Sequence, residues 1–392
     1  MLLGSLRIGV ADSIDPRDMQ ASSGTSASLL AALAELVAEA VPLSGALPPR
    51  AGRLAHLASV ATRLRPRDLG ELRPAAKRVH GAAQLGRPTV TAHTLVMRRR
   101  LAGAGTLDGV VQRGSEMRLP ARTRLVTFDD STVLQAWRAY PWPHLQGLSS
   151  GDVRRYAERQ RRIFQSAVAC CCSTHWVAES IVGEYGIAPE RVFTVGFGQN
   201  HVVPAPAARD WSVPRYLFVG VDWTRKNGPA VLETFATVRE RHPQAQLDIV
   251  GGHPPIEQPG VVTHGHLSLV RAEDRERMAA LYRSATAFVM PSLHEPAGIV
   301  HVEAATAGVP SIGSSDGGAA TMIGAGGMVV DPREPREILD AMLALADPHT
   351  VSRLGELACR HAAELTWRKV AERLIRAMAI PGLDSSGLAH FL

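Results

Sequence analysis

Pro291-Ser-Leu-His-Glu-Pro-Ala-Gly-Ile-Val-His-Val-Glu-Ala-Ala-Thr-Ala-Gly-Val-Pro310 is the stretch on which the reading of this chain turns. The apolar Ala287-Phe-Val-Met290 before it reads as a short buried strand, which Pro291 and Ser292 break. From Gly298 onward, Ile299, Val302, Ala305 and Thr306 recur at helical spacing until Gly308-Val-Pro310 stops them. A helix therefore begins beside Pro296 to Gly298, at the carboxyl end of a strand. Unpaired amides and the positive end of the helix dipole attract phosphate there, and open α/β sheets bind ligands on that edge. Glu295 and Glu303 flank the spot, and each carboxylate accepts paired hydrogen bonds from neighbouring hydroxyls. A sugar diol suits one and a ribose diol the other. The plainer alternative is one glutamate at a helix N-terminus and one on a solvated face.

Working outward, strand-like and helical segments alternate. In the first half, Arg7-Ile-Gly-Val-Ala11 reads as a strand, Ser22-Ser-Gly-Thr25 as a polar loop and residues 27–40 as a helix. Thr89-Val-Thr-Ala92, Leu125-Val-Thr-Phe128 and residues 168–172 read as further strands, with a helix over residues 153–165. Residues 43–88, rich in Pro, Ala and Arg, read either as a helical excursion or as a mobile loop. Residues 192–200 close this half, and residues 201–208 have the stiff look of a linker. A second unit starts at Tyr216-Leu-Phe-Val-Gly220 and repeats strand and helix through residues 247–250, 261–263, 287–290 and 311–312. This is the pattern of parallel sheets covered by helices, in a chain of 392 residues that suffices for two domains.

Hydrophobic residues make up 45% and charged residues 20%, which fits a globular chain. The first residues lack a basic segment followed by a long apolar one, and the run over residues 29–41 is interrupted by Glu35 and Glu39. The expectation is a cytoplasmic protein. Cys170, Cys171 and Cys172 are adjacent, so in a strand they point to alternate faces and cannot converge on one metal; they read as buried apolar residues in a reducing compartment. The net charge of +6 is uneven: residues 1–200 hold 25 Lys or Arg against 16 Asp or Glu, and the remainder 18 against 21. The basic half offers either solvated helix faces or peripheral contact with an anionic membrane. No aromatic residues interleave with its arginines, which argues against a nucleic-acid partner.

The two glutamates, with Pro-Ser before them, Pro-Ala-Gly-Ile-Val between and Glu-Ala after, resemble the signature of the retaining glycosyltransferases of family 4, the group 1 glycosyl transferases. The likeness is strongest over residues 176–200 and 216–332, weaker before Gly24 and absent over residues 43–88. It implies an α/β protein of the GT-B fold: two Rossmann-like doubly wound domains facing each other across a cleft, with the C-terminal helix crossing back to the first domain. The acceptor domain would span residues 1–203 joined by 367–392, and the nucleotide-sugar donor domain residues 204–366.

The resemblance also implies roles. Glu295 would contact the donor-sugar hydroxyls, the amides of Ala297, Gly298, Ile299 and Val300 the sugar and phosphate, and Glu303 the ribose diol. Phe218-Val-Gly-Val-Asp-Trp-Thr-Arg-Lys-Asn-Gly228 is a strand running into a loop with two adjacent cations, suited to a diphosphate leaving group. Lys226 stands where the family has its lysine, whereas Val221 occupies the place of the family arginine, leaving Arg225 as the substitute after Gly220. Gly24 would approach the diphosphate and His266 the nucleobase. His93 reads either as a catalytic histidine or as a structural one, and Asp129 and Asp130 either orient an acceptor hydroxyl or cap the next helix. Thr321 replaces a glutamate common in the family.

The implied reaction moves a sugar with retention from a nucleoside-diphosphate sugar to the hydroxyl of a secondary metabolite, envelope glycan or lipid-linked sugar. No Asp-x-Asp motif is evident, so no metal and no cofactor beyond the donor co-substrate is expected. Two rivals stand beside it: a nucleotide-sugar epimerase or hydrolase on the same fold, and an inactive glycosyltransferase-like partner protein.

Overall fold

The computed structural model describes residues 3–62, 83, 85–139, 145, 148–200, 203, 209–268 and 271–383. Two units emerge, one built from residues up to Val195 together with those from Val370 onward, the other from Gly196–Lys369. The sequence expectation had put these borders at 203/204 and 366/367. Most of the expected linker, and much of residues 43–88, lies outside the described residues.

The first unit runs β1 (Arg7–Asp12), α1 (Thr25–Ala34), β2 (Glu39–Ser44), α2 (Pro49–Ala61), α3 (Arg87–Gly103), β3 (Gly109–Gln112), β4 (Leu125–Asp129), α4 (Val133–Ala139), α5 (Ser150–Ser166), β5 (Ala169–Cys172), α6 (His175–Gly183) and β6 (Val192–Thr194). Its strands form a parallel sheet in the order β2-β1-β3-β4-β5-β6. Strands β3, β4 and β5 are buried on both faces; β4 and β5 fall on stretches the sequence marks as strands, whereas β3 does not. A capping box starts α5, with the Ser149 hydroxyl accepting from the Asp152 amide and the Asp152 carboxylate accepting from the Ser149 amide.

Two expectations for this unit are corrected. Thr89-Val-Thr-Ala92 is the first part of helix α3, not a strand: Pro88 occupies the first turn, and the Thr89 hydroxyl lies 2.8 Å from that of Ser59 on α2. The helix expected over residues 27–40 ends at Ala34, and Glu39–Ser44 is a strand. That strand lies at the sheet edge, where Pro42 costs no ladder bond, and Arg7 on β1 donates to Glu39 at 2.7 Å. The cysteines lie as expected in a buried strand: Cys170 and Cys172 pack in one core cluster beside Phe164 and Tyr185, and burial pushes the Cys170 thiol up to about 12.

The second unit runs β7 (Arg215–Gly220), α7 (Gly228–Arg241), β8 (Gln246–Gly251), β9 (Val261–Gly265), α8 (Ala272–Ser284), β10 (Ala287–Met290), α9 (Ile299–Thr306), β11 (Ser311–Ser314), α10 (Ala319–Ile323), β12 (Gly327–Val330), α11 (Pro335–Ala344) and α12 (Pro348–Ala362). Its parallel sheet has the order β12-β11-β10-β7-β8-β9, over a core that includes Tyr216, Phe218, Phe235 and Phe288. In each sheet the chain reverses its lateral direction once, between β1 and β3 in the first and between β7 and β10 in the second. Ligand sites of doubly wound sheets form outside the carboxyl ends of such strand pairs.

Helix α13 (Trp367–Ala377) spans the border of the two units. In the second unit Trp367 packs against Phe197 with ring centroids 5.1 Å apart and donates to the Asn200 side chain at 2.8 Å. In the first, Arg373 donates to the Val195 carbonyl at 3.0 Å, and Arg124 to the carbonyls of Met378 and Ala379 at 3.0 and 2.7 Å. Met378 is fully buried, its sulfur filling the space a Cβ on Gly109 would claim. Met378→Ala should cost about 2–5 kcal/mol by loss of packing and a residual cavity, read as an earlier urea transition of the full chain.

Candidate functional site

Three loops meet at the carboxyl ends of β7, β10 and β11, which are neighbours in the second sheet. Backbone bonds tie them together: the Leu293 amide donates to the Arg225 carbonyl at 2.8 Å, the Glu295 amide to the Asp316 carbonyl at 3.1 Å, and the Gly318 amide to the Glu295 carbonyl at 2.7 Å. Gly317 permits the last approach, since with φ of 116° a Cβ there would stand 2.0 Å from the Glu295 carbonyl oxygen.

Glu295 lies at the junction, 6% exposed. Lys226 donates to its Oε2, the Ser292 hydroxyl donates to the same oxygen at 3.1 Å, and the Arg225 guanidinium stands 3.9 Å away. Arg225 is fixed by a bond to the His294 carbonyl at 3.0 Å and by its own amide on the Asp222 carboxylate at 3.0 Å. Gly220 leaves room for the lysine stem, because a Cβ there would come within 2.8 Å of Lys226 Cγ. Burial raises the Glu295 carboxyl and the two cations more than reverse this, so it sits below its ordinary value. Burial dominates at Lys226, whose ammonium is held below its usual range. Val221, at the place of the family arginine, is exposed.

Two helices begin beside this pair. Asn227, in the left-handed region at φ 62°, precedes α7 and donates to the Pro332 carbonyl at 2.7 Å. Gly298, at φ 82° and directly after Ala297, precedes α9; Ile299 and Val300 form its first turn, half-buried. Cations and helix N-termini together make this edge of the second unit attractive to an anion.

Glu303 points elsewhere. It is buried on α9, accepts from the Tyr282 hydroxyl at 2.9 Å, and burial raises its carboxyl to about 7. His266 is exposed after β9, at the far side of the sheet from β10. The remaining candidates belong to the first unit. Gly24 precedes α1 at φ 79°. His93 lies within α3, where its Nδ1 bonds the Gly45 carbonyl at 2.8 Å, rather than in a loop after a strand. Asp129 ends β4 and Asp130 follows it, its carboxylate 3.7 Å from Arg113.

Sequence reading passed over Ser292, Tyr282 and His301. Ser292 stood in the quoted stretch and could have been read as a hydroxyl three residues from Glu295. Tyr282 reaches Glu303 from the preceding helix, and no local pattern announces that pairing. His301, fully buried between Gly298, Gly313 and Phe288, keeps a neutral ring because burial lowers it to about 3.

The fold and this site define a class: doubly wound α/β proteins with cations and helix N-termini gathered at the switch point of a parallel sheet. The particulars come from comparison. Residues 213–347 match the family described as Glycosyl transferases group 1. The chain is similar to a D-inositol 3-phosphate glycosyltransferase of Thermobifida fusca, 27% identical over 59% of this chain and 60% of the relative. A D-inositol 3-phosphate glycosyltransferase 2 of Catenulispora acidiphila is 30% identical over 54% and 55%. The chain thus spans well under two thirds of the length of these curated relatives. Among solved structures, the sucrose-phosphate synthase of Thermosynechococcus elongatus superposes with a TM-score of 0.60 at 16% identity, over 94% of this chain and 98% of that one. TarM follows at 0.52 and 11% identity, over 72% and 58%. The family resemblance and the GT-B fold read from the sequence are borne out.

Glu303 yields a test by pH. Its folded value of about 7 lies above the ordinary 4.5, so the folded state holds a proton that the unfolded chain releases in that window. Stability therefore falls as pH rises from 4.5 to about 7, by on the order of 3 kcal/mol for this group. Glu303→Gln keeps an acceptor for Tyr282 and should gain stability over the parent at pH 7.5 but not at pH 4.5, measured by urea unfolding.

Proposed function

We propose that the protein is a retaining glycosyltransferase that moves a sugar from a nucleoside-diphosphate donor, bound by the second unit, to an acceptor hydroxyl. The observation that carries this reading is the buried contact of Lys226 and Arg225 with Glu295 between the starts of α7 and α9. As the glycosidic bond breaks, negative charge grows on the leaving diphosphate; two fixed cations and two helix N-termini stabilise it without reorganising. Glu295 positions the lysine in the resting protein and accepts hydrogen bonds from sugar hydroxyls in the complex. Glu303 takes the ribose diol after exchanging its bond to Tyr282. Attack and departure occur on the same face of the sugar, with no nucleophilic carboxylate assigned beneath the anomeric carbon. The cations take the place of a divalent metal.

Support comes from the match of the second unit to group 1 glycosyl transferases and from relatives named glycosyltransferases. An inactive partner protein is the second reading, favoured by Val221 and Thr321 at places where the family carries charge.

Removing one member of a buried ion pair strands the other, which costs about 3–5 kcal/mol of stability. Lys226→Met should therefore both destabilise the second unit and abolish transfer, while Lys226→Arg retains the fold and loses about 100-fold or more in kcat, as expected when a preorganised charge is misplaced. Activity would be followed as nucleoside diphosphate released with and without acceptor. Unchanged turnover in Lys226→Arg and Glu295→Gln overturns the roles given to these two residues, and no acceptor-dependent release from the parent protein sinks the transferase assignment. Release without acceptor at the full rate points to a hydrolase. EDTA should leave the rate unaltered. A panel of nucleoside diphosphates should raise Tm for one base above the rest.

A further inference from the structure

The switch point of the first unit carries a second cavity, of about 370 Å³, within the roughly 300–1,000 Å³ usual for small-molecule sites. Its walls are the ends of β1, β3 and β4 and the loops that follow them. Among the described residues, four acidic ones line it, Asp12, Glu116, Asp129 and Asp130, against one lining cation, Arg113. Acidic residues outnumber the lining cation, and Asp12, Arg113 and Asp129 are each no more than 8% exposed.

Arg113 does not cancel this excess. It lies 3.8 Å from Asp12 and 3.7 Å from Asp130, and donates to the Ser26 hydroxyl at 3.2 Å, which itself donates to Asp12 at 2.5 Å. Two buried polar atoms of the lining meet no hydrogen-bond partner among the described residues, Asp129 Oδ2 and Arg113 Nε. An orphaned acceptor and an orphaned donor in the lining of one cavity call for a ligand that both gives and takes hydrogen bonds, and burying either unpaired is costly. Hydroxyls do both. The surplus of carboxylates adds a preference for a cation among the substituents and penalises a phosphate, whose only partner would be a guanidinium already flanked by two aspartates.

We propose that this cavity binds an amine-bearing polyol, a sugar or cyclitol with a free ammonium group, its ammonium set against Asp129 and Asp130 and a ring hydroxyl accepting from Arg113 Nε. Calling that ligand the acceptor rests on the transferase reading above; its binding does not. Burial, and then the charge of Asp130, raise the Asp129 carboxyl to about 7, so an incoming ammonium also restores its ionised form.

Titration calorimetry on the full chain at pH 7 and low salt decides it, with glucosamine, N-acetylglucosamine, glucose and glucose 6-phosphate as probes that differ in one substituent. Glucosamine should bind about tenfold tighter than its acetamide or glucose, a difference the size of one good charge contact. Glucose 6-phosphate should bind weakest. Asp130→Asn, at a half-exposed side chain that the fold tolerates, should cut the preference several-fold, and Asp129→Asn should remove it, with circular dichroism confirming the fold of each. Equal affinity for amine and acetamide, tighter binding of the phosphate, or no glucosamine bound at millimolar concentration overturns the proposal. Nucleoside diphosphates titrated into the same samples separate the two ideas: loss of diphosphate binding with the amine preference intact removes only the transferase reading, and the converse removes only this one.

Discussion

An ammonium group is held against a carboxylate inside the second unit, and much of its local architecture exists to make that possible. Gly220 clears the path of the Lys226 stem, Gly317 lets the backbone close over Glu295, and Ser292 supplies a further donor to the same oxygen. Such a pair is expensive to desolvate, and well-packed apolar residues would serve stability as well or better. Its persistence in a resting protein makes sense when the charges are kept for a ligand that replaces one partner by another.

The two sheets solve the same topological problem and furnish the solution with opposite charge. Both reverse direction beside their first strand, and in both polar side chains gather at the carboxyl ends of the strands that flank the reversal. In the second unit the loop after β7 brings Arg225 and Lys226 against Glu295 from the loop after β10; in the first, β1 and β4 end in aspartates and Arg113 follows β3. Fold alone does not set what either edge takes. The side chains in the first few positions after each strand do.

The sequence made the second unit far more legible than the first. Strands β7, β8 and β10 are short runs of large apolar residues closed by glycine or proline, and α9 announces itself through Gly298 and Gly308. The first unit defeated local pattern where composition was ambiguous. Thr89-Val-Thr has the β-branched look of a strand, yet Pro88 and the contact with Ser59 commit it to a helix. The alanine-rich run after Thr25 hid the break between α1 and β2. Because Gly109–Gln112 passed unnoticed, so did Arg113 immediately after it, and the acidic hollow could be seen only in part, through Asp129 and Asp130. Pairings across distant segments, such as Tyr282 with Glu303, leave no trace at any fixed spacing.

Helix α13 bears on how the molecule comes to exist. Residues from Val370 onward complete the unit begun by Arg7–Asp12, and Arg124 waits for the carbonyls of Met378 and Ala379. A chain emerging from the ribosome presents its amino-terminal part first, but that part lacks its closing piece until the residues from Val370 have been made. The middle of the polypeptide can finish folding while the earlier portion is still open. The unit that begins first is thus the one that can close last.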